Sequence, residues 1–190
     1  MLNDVLTFLK IQLNQYLSVG AGSLDPGKEP VVFPNGRIGD ALSIELGAVS
    51  LLLVRLEEEK ILRPPNLHQR TLPDGSSRDV PPEIRLDLYL LTIAHYQQYD
   101  DAWRMLSKVL QFFQQNRLIT RQQAPNLAPS IEQLVIELVT QSFAEQNEVW
   151  SALRLPYHPS LLYKVKTVLY QGDLAVAHPM VDQVAIRIES

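Results

Sequence analysis

The sequence predicts an α+β fold, a mixed and largely antiparallel sheet with flanking helices. Two observations carry that prediction. Residues alternate with a two-residue period over 84–95, 134–142 and 161–170, and a continuous apolar run with two β-branched residues marks 49–59, as strands require. They recur three or four apart over 3–18, after residue 101 and over 144–153, as helices require. The resulting order is helix, strands, helix, strand, helix, strands.

Each element has its own justification. Leu2, Leu6, Leu9, Leu13, Tyr16 and Leu17 draw one apolar stripe on the first helix. Asn3 or Asp4 is its expected cap, and Gly20 and Gly22 end it. Residues 20–30 read as loop. Val31, Val32 and Phe33 form a short strand, followed by a turn at Pro34-Asn35-Gly36, where Asn and Gly tolerate positive φ. Residues 41–46 are expected to pair across that turn. The run VSLLLVRLEEE, 49–59, reads as a central strand that ends where Glu57, Glu58 and Glu59 must meet water. Residues 62–82 hold five prolines and Asp74-Gly75 and show no packing pattern, so they are expected to be a long excursion.

The segment IRLDLYLLTIAH, 84–95, places Ile84, Leu86, Leu88, Leu90, Thr92 and Ala94 on one face. Arg85, Asp87, Tyr89, Leu91, Ile93 and His95 lie on the other, which starts polar and turns apolar. A strand apolar on both faces must be covered on both. Asp100 or Asp101 is the expected cap of the next helix. Trp103, Leu106, Leu110 and Phe113 mark its stripe, and Met105, Val109 and Phe112 widen it, so this helix is expected to be clamped between layers. Residues 121–130 are a linker with two prolines. Residues 131–143 mix periods; 134–142 reads as a strand with a helix as the alternative, and it precedes a helix over 144–153 with Val149, Trp150 and Leu153 on one side, which Pro156 and Pro159 stop. In the last strong strand Leu161, Tyr163, Val165, Thr167 and Leu169 share a face, and Lys164 and Lys166 point the other way. The expected organisation is one α+β domain over 1–170 and a tail over 171–190 with a short alternating strand, Val184, Ile186 and Ile188.

Composition narrows the function classes. The chain has 190 residues, enough to bury a sizeable core. It has no cysteine, which excludes disulfides, thiolate catalysis and cysteine-ligated metals. The net charge is −4, from 17 basic and 21 acidic side chains, with no Lys/Arg cluster. That argues against nucleic acid as a partner. No apolar run is long enough to span a bilayer, and residues 1–17 carry Asp4, Lys10 and several amides, unlike a signal peptide.

The search for chemistry returns little. Residues 22–28, GSLDPGK, spell most of a phosphate-binding loop, but Glu29 stands where a magnesium-holding hydroxyl belongs and would repel phosphate. The strand and helix context of that loop is also wrong. His68, His95, His158 and His178 show no metal-ligand spacing, and His95 reads as a boundary residue with a hydrogen-bonded nitrogen. No G-x-S-x-G elbow is present. Glu57, Glu58, Glu59 and Lys60 read as a solvated strand end. Arg85 and Asp87 share a strand face, and Arg55 lies on the other long strand. Two readings stay open there: a buried network that fixes register, or an exposed strand start. No catalytic residue, no cofactor site and no metal site is predicted. The excess of apolar sheet and helix surface, and a C-terminal strand free to add to a sheet edge, point to assembly instead.

The order of motifs resembles one family. LLLVRLEEEKILRPP is followed by PPEIRLDLYLLTIAHYQQYDDAWRMLSKVLQFF and then LPYHPSLLYKVKTVLY. This is similar to the cap, or tube-terminator, proteins of phage-tail-like contractile injection systems. The carrying positions are Leu86, Leu88, Tyr89, Leu90 and Leu91, then Pro159, Ser160 and Tyr163. It covers roughly residues 3–170. The resemblance implies a tail-terminator-like fold and a non-enzymatic structural role. It implies a homohexameric ring on the baseplate-distal end of the inner tube that ends tube and sheath polymerisation and anchors the last sheath layer. The implied partners are further copies of the chain, the inner tube protein and the sheath protein, without nucleic acid or direct membrane insertion. Assembly is expected in the bacterial cytoplasm. Val184, Ile186 and Ile188 are the candidate protein-interface residues.

Overall fold

The computed structural model describes residues 2–19, 27–36, 42–59, 69–71, 77–79 and 84–169. The chain opens with helix α1 (Leu2–Val19), which buries Val5, Phe8, Leu9, Leu13 and Leu17. Strand β1 (Val31–Val32) follows. Asn14 of α1 ties it down: its side-chain amide donates to the Val31 carbonyl (2.9 Å), and its oxygen accepts from the Val31 N–H (2.7 Å).

Next come β2 (Ala48–Glu58), the short strands β3 (Gln69–Thr71) and β4 (Ser77–Asp79), and β5 (Ile84–His95). Helix α2 (Tyr99–Gln115), β6 (Leu118–Thr120), β7 (Ile131–Val139), α3 (Phe143–Leu153) and β8 (Ser160–Leu169) complete the order. Six strands form one sheet in the order β1-β2-β5-β8-β7-β6. Only β1 and β2 run parallel within it; the other four pairings are antiparallel. The sheet is therefore mixed and largely antiparallel, as the residue periods predict.

Five expectations need correction. The 49–59 strand is not central. β2 lies next to the edge strand, and β5 and β8 occupy the middle. Among the described residues the expected pairing across the turn after β1 is reduced to one antiparallel bridge, Asn35 to Ser43, and β1 itself pairs with β2. Within 62–82 the described residues form a two-stranded ribbon, Gln69 to Thr71 against Ser77 to Asp79. The cap of α2 is Gln98, without a side-chain bond, and Asp100 and Asp101 sit in the first turn, where they meet Arg104. Trp103 is 40% exposed and stacks edge-on against Tyr99 at 5.9 Å. The α2 stripe is Ala102, Met105, Leu106, Val109, Phe112 and Phe113, and residue 103 falls about 100° away from position 102 on the helix.

One face of the sheet carries the main core. Leu88 and Leu90 of β5, Val49 and Leu51 of β2, Tyr163 and Val165 of β8 and Leu134 and Ile136 of β7 meet α1 and α2 there. α2 touches both neighbours, with Phe112 against Tyr16 of α1 (5.3 Å) and Phe113 against Tyr163 of the sheet (4.4 Å). On the opposite face α3 packs through Trp150 on Leu91, Ile93 and Leu162, with Ile44 and Leu155 beside it. α3 starts with a reciprocal cap between Ser142 and Glu145 and stops at Arg154, whose φ of 55° is left-handed. Among the described residues no helix is long and apolar enough to cross a membrane.

Candidate interaction surface

The face under α3 changes character along the strands. Near α3 it is apolar. Toward the other end it becomes a ladder of charges across four strands. Arg55 and Glu57 come from β2, Asp87 and Tyr89 from β5, Lys164 and Lys166 from β8, and Glu137 from β7. The registers set Arg55 beside Tyr89, Glu57 beside Asp87, and Lys164 between Tyr89 and Glu137.

These groups pair with one another, and Asp87 Oδ1 is left buried without a hydrogen-bond partner. Lys164 Nζ lies 2.5 Å from Asp87 Oδ2, and Asp87 is 4% exposed. The Tyr89 hydroxyl donates to Glu57 Oε2 (2.9 Å), Arg55 pairs with Glu57, and Lys166 pairs with Glu137 (2.9 Å). Arg55 and Lys164 flank the Tyr89 ring, 5.4 and 5.6 Å from its centroid. The hydrogen bond to Asp87 raises the Lys164 pKa, and burial, then the Glu57 hydrogen bond, raises that of Tyr89. The structure lies between the two readings left open by the sequence: Asp87 is buried, with Lys164 and not an arginine as its cation, whereas Arg55, its side chain 65% exposed, pairs with Glu57 at the surface.

A groove of about 500 Å³ lies between α3 and this face, lined by Val54, Tyr89, Val149, Leu153 and Leu162, with Arg55 and Glu148 also on its wall. Its lining holds no arrangement of nucleophile and base. His95 hydrogen-bonds the Ile44 carbonyl (3.3 Å), the role its position predicts, and lies edge-on to His158 at 4.7 Å. Burial, then the neighbouring His95, lowers the His158 pKa. Lys28 donates to the Leu46 carbonyl (2.9 Å) and lies 3.6 Å from Glu45. Among the described residues no group of three or more His, Asp or Glu gathers as a metal site. His68, His178 and the predicted interface residues Val184, Ile186 and Ile188 lie outside the described residues.

One feature offers a contact without chemistry. β1 pairs with β2 only at Val49 and Ser50. Among the described residues no strand lies on the side of β2 away from β5 beyond Ser50. Sequence reasoning missed this edge because the apolar run of β2 reads as a strand enclosed on both sides.

A family model described as the Pvc16 N-terminal domain matches residues 4–183. The chain belongs to the Pvc16 N-terminal domain family. Among solved structures, the fold is similar to the PVC sheath/tube terminator of an extracellular contractile injection system in its extended state. The identity is 20% and the TM-score 0.59, covering 100% of this chain and 65% of that one. It is similar also to the tube-terminating cap of the anti-feeding prophage, at 17% identity and a TM-score of 0.60, covering 99% of this chain and 62% of that one. No curated protein matches. The chain thus spans just under two thirds of the length of each of these structures. As a Pvc16 N-terminal domain it has the tail-terminator-like α+β architecture that its motif order implies.

Proposed function

We propose that this protein is a structural cap of a contractile injection system. Copies form a six-fold ring on the baseplate-distal end of the inner tube, end tube and sheath polymerisation, and hold the last sheath layer. It performs no catalysis. Its partners are its own copies, the tube protein and the sheath protein, and neither nucleic acid nor a bilayer is one of them. It assembles in the bacterial cytoplasm. The observation that carries this reading is the family match over residues 4–183, joined to a fold shared along the whole chain with a sheath/tube terminator and a tube-terminating cap. The charged groups support it too, since they are spent on each other across the sheet rather than turned toward a substrate.

The test is reconstitution. The tube and sheath proteins are assembled with and without this chain, and tube lengths and ends are imaged. Tubes that stop at a ring of density containing the tagged chain are the expected outcome. Unlimited tube growth with the chain free in solution as a monomer would refute the proposal.

A further inference from the structure

We infer that the pocket between the C-terminal end of α2 and β7 binds an acidic side chain of a partner protein, presented beside an apolar one. The inference supplies the contact chemistry for a partner in the assembly proposed above, and it rests on that reading for the partner's setting alone.

The pocket has a volume of about 380 Å³, within the range of small binding sites. Its apolar lining comes from Leu110 and Phe113 of α2 and from Ile136 and Leu138 of β7. Leu138 is 51% exposed, so apolar surface stays open to solvent at this margin. The strand register sets Tyr163 of β8 beside Leu138, and its ring packs on Phe113.

Two donors in that lining stand without partners among the described residues. Tyr163 is 2% exposed, and its hydroxyl is buried with no hydrogen-bond partner. A buried hydroxyl left in that state costs free energy, which an acceptor brought by a partner recovers. Burial raises the Tyr163 pKa, so the group stays protonated and donates. Arg117 shares the lining from an exposed position just past α2. Its guanidinium has no carboxylate partner among the described residues, whereas Lys164 and Lys166 on β8 each have one. Glu137 runs along the same wall, but alternation assigns it to the opposite sheet face, where Lys166 neutralises it.

The charge balance selects the ligand. One guanidinium and one neutral hydroxyl offset a single negative charge that accepts several bonds, and a carboxylate is such a group. A phosphate dianion would bring a second charge that nothing in the lining offsets and that apolar walls cannot hydrate. Gln114, also in the lining, has an amide to give to the same carboxylate or to the partner's backbone. Leu110, Ile136 and Leu138 remain for an apolar neighbour of the acid.

The experiment uses the full chain and two blocked dipeptides, acetyl-Leu-Glu-amide and acetyl-Leu-Gln-amide. They are titrated against the methyl resonances of Leu110, Ile136 and Leu138. The acidic peptide should shift these methyls saturably, and its amide counterpart should bind about tenfold more weakly. Arg117→Gln and Tyr163→Phe should each weaken the acidic peptide roughly fivefold or more. Tyr163→Phe should also keep the melting temperature of the parent, because its hydroxyl bonds nothing within the fold. A lower melting temperature would show that the hydroxyl serves the fold and would overturn the inference. Equal binding of the two peptides, shifts confined to another surface, or no shift would do the same. Hexanoate binding as tightly as the acidic peptide would overturn the protein partner in favour of a small carboxylate. None of these results touches the cap function, which fails only if the unsubstituted chain leaves tube growth unlimited.

Discussion

A carboxylate as enclosed as Asp87 has lost almost all of its water, and the ammonium of Lys164 at 2.5 Å is what replaces it. Lys164→Met should therefore destabilise the fold by about 2 kcal/mol, since it strands a buried charge. Adding Asp87→Leu should recover most of that loss, because the doubly substituted strand pair keeps no unpaired charge. Urea unfolding with an unchanged slope measures both, and a Lys164→Met protein as stable as the parent would mean that Asp87 is solvated another way. The folded pKa of Lys164 is raised, so its contribution is present below the ordinary lysine value and fades as pH climbs through the folded one. His158 acts at the opposite end. Its folded pKa is lowered, so the unfolded chain binds that proton more readily and stability falls as pH drops through about 6.5. His158→Gln should lose less melting temperature than the parent between pH 7.5 and pH 5.5. An equal loss in both proteins would place the acid sensitivity elsewhere.

At the scale of elements, α3 is the least secured piece of the fold. It has eleven residues and buries one of them, Trp150, so packing alone holds it weakly. The reciprocal cap at Ser142 and Glu145 compensates at its first turn. Ser142→Ala should cost about 1 kcal/mol and should raise amide exchange in α3 ahead of the rest of the protein. Exchange that rises uniformly would show that α3 unfolds only with the sheet. The elements legible in the sequence were α1, β1, β2, β5, α2, α3 and β8, whereas β7, whose stretch mixes periods, was read as 134–142 and lies at Ile131–Val139. β6 escaped because three residues, Leu118 to Thr120, are too short to show a period. Trp103 was misplaced because a wide apolar stripe on α2 hides which residue marks its margin. The charged network was half legible. Asp87 and its strand face could be read, but which cation reaches Asp87 depends on which strand lies beside β5, and strand order is not written in local periodicity. Lys164 could have been found from its own strand, where it alternates against an apolar face.

At the scale of the whole molecule, each face of the sheet carries helices: α1 and α2 cover the first, and α3 with the charge ladder finishes the second. The tail alternates at Val184, Ile186 and Ile188, while among the described residues the main core runs from Val5 to Val165. Folding and attachment are thus assigned to different parts of the chain. Deleting residues 180–190 should leave the subunit folded, with the melting temperature and circular dichroism of the parent. The same deletion should abolish ring formation and attachment to the sheath, read by light scattering and by co-sedimentation with assembled tubes. If instead the shortened chain loses solubility, the strand completes the subunit's own sheet.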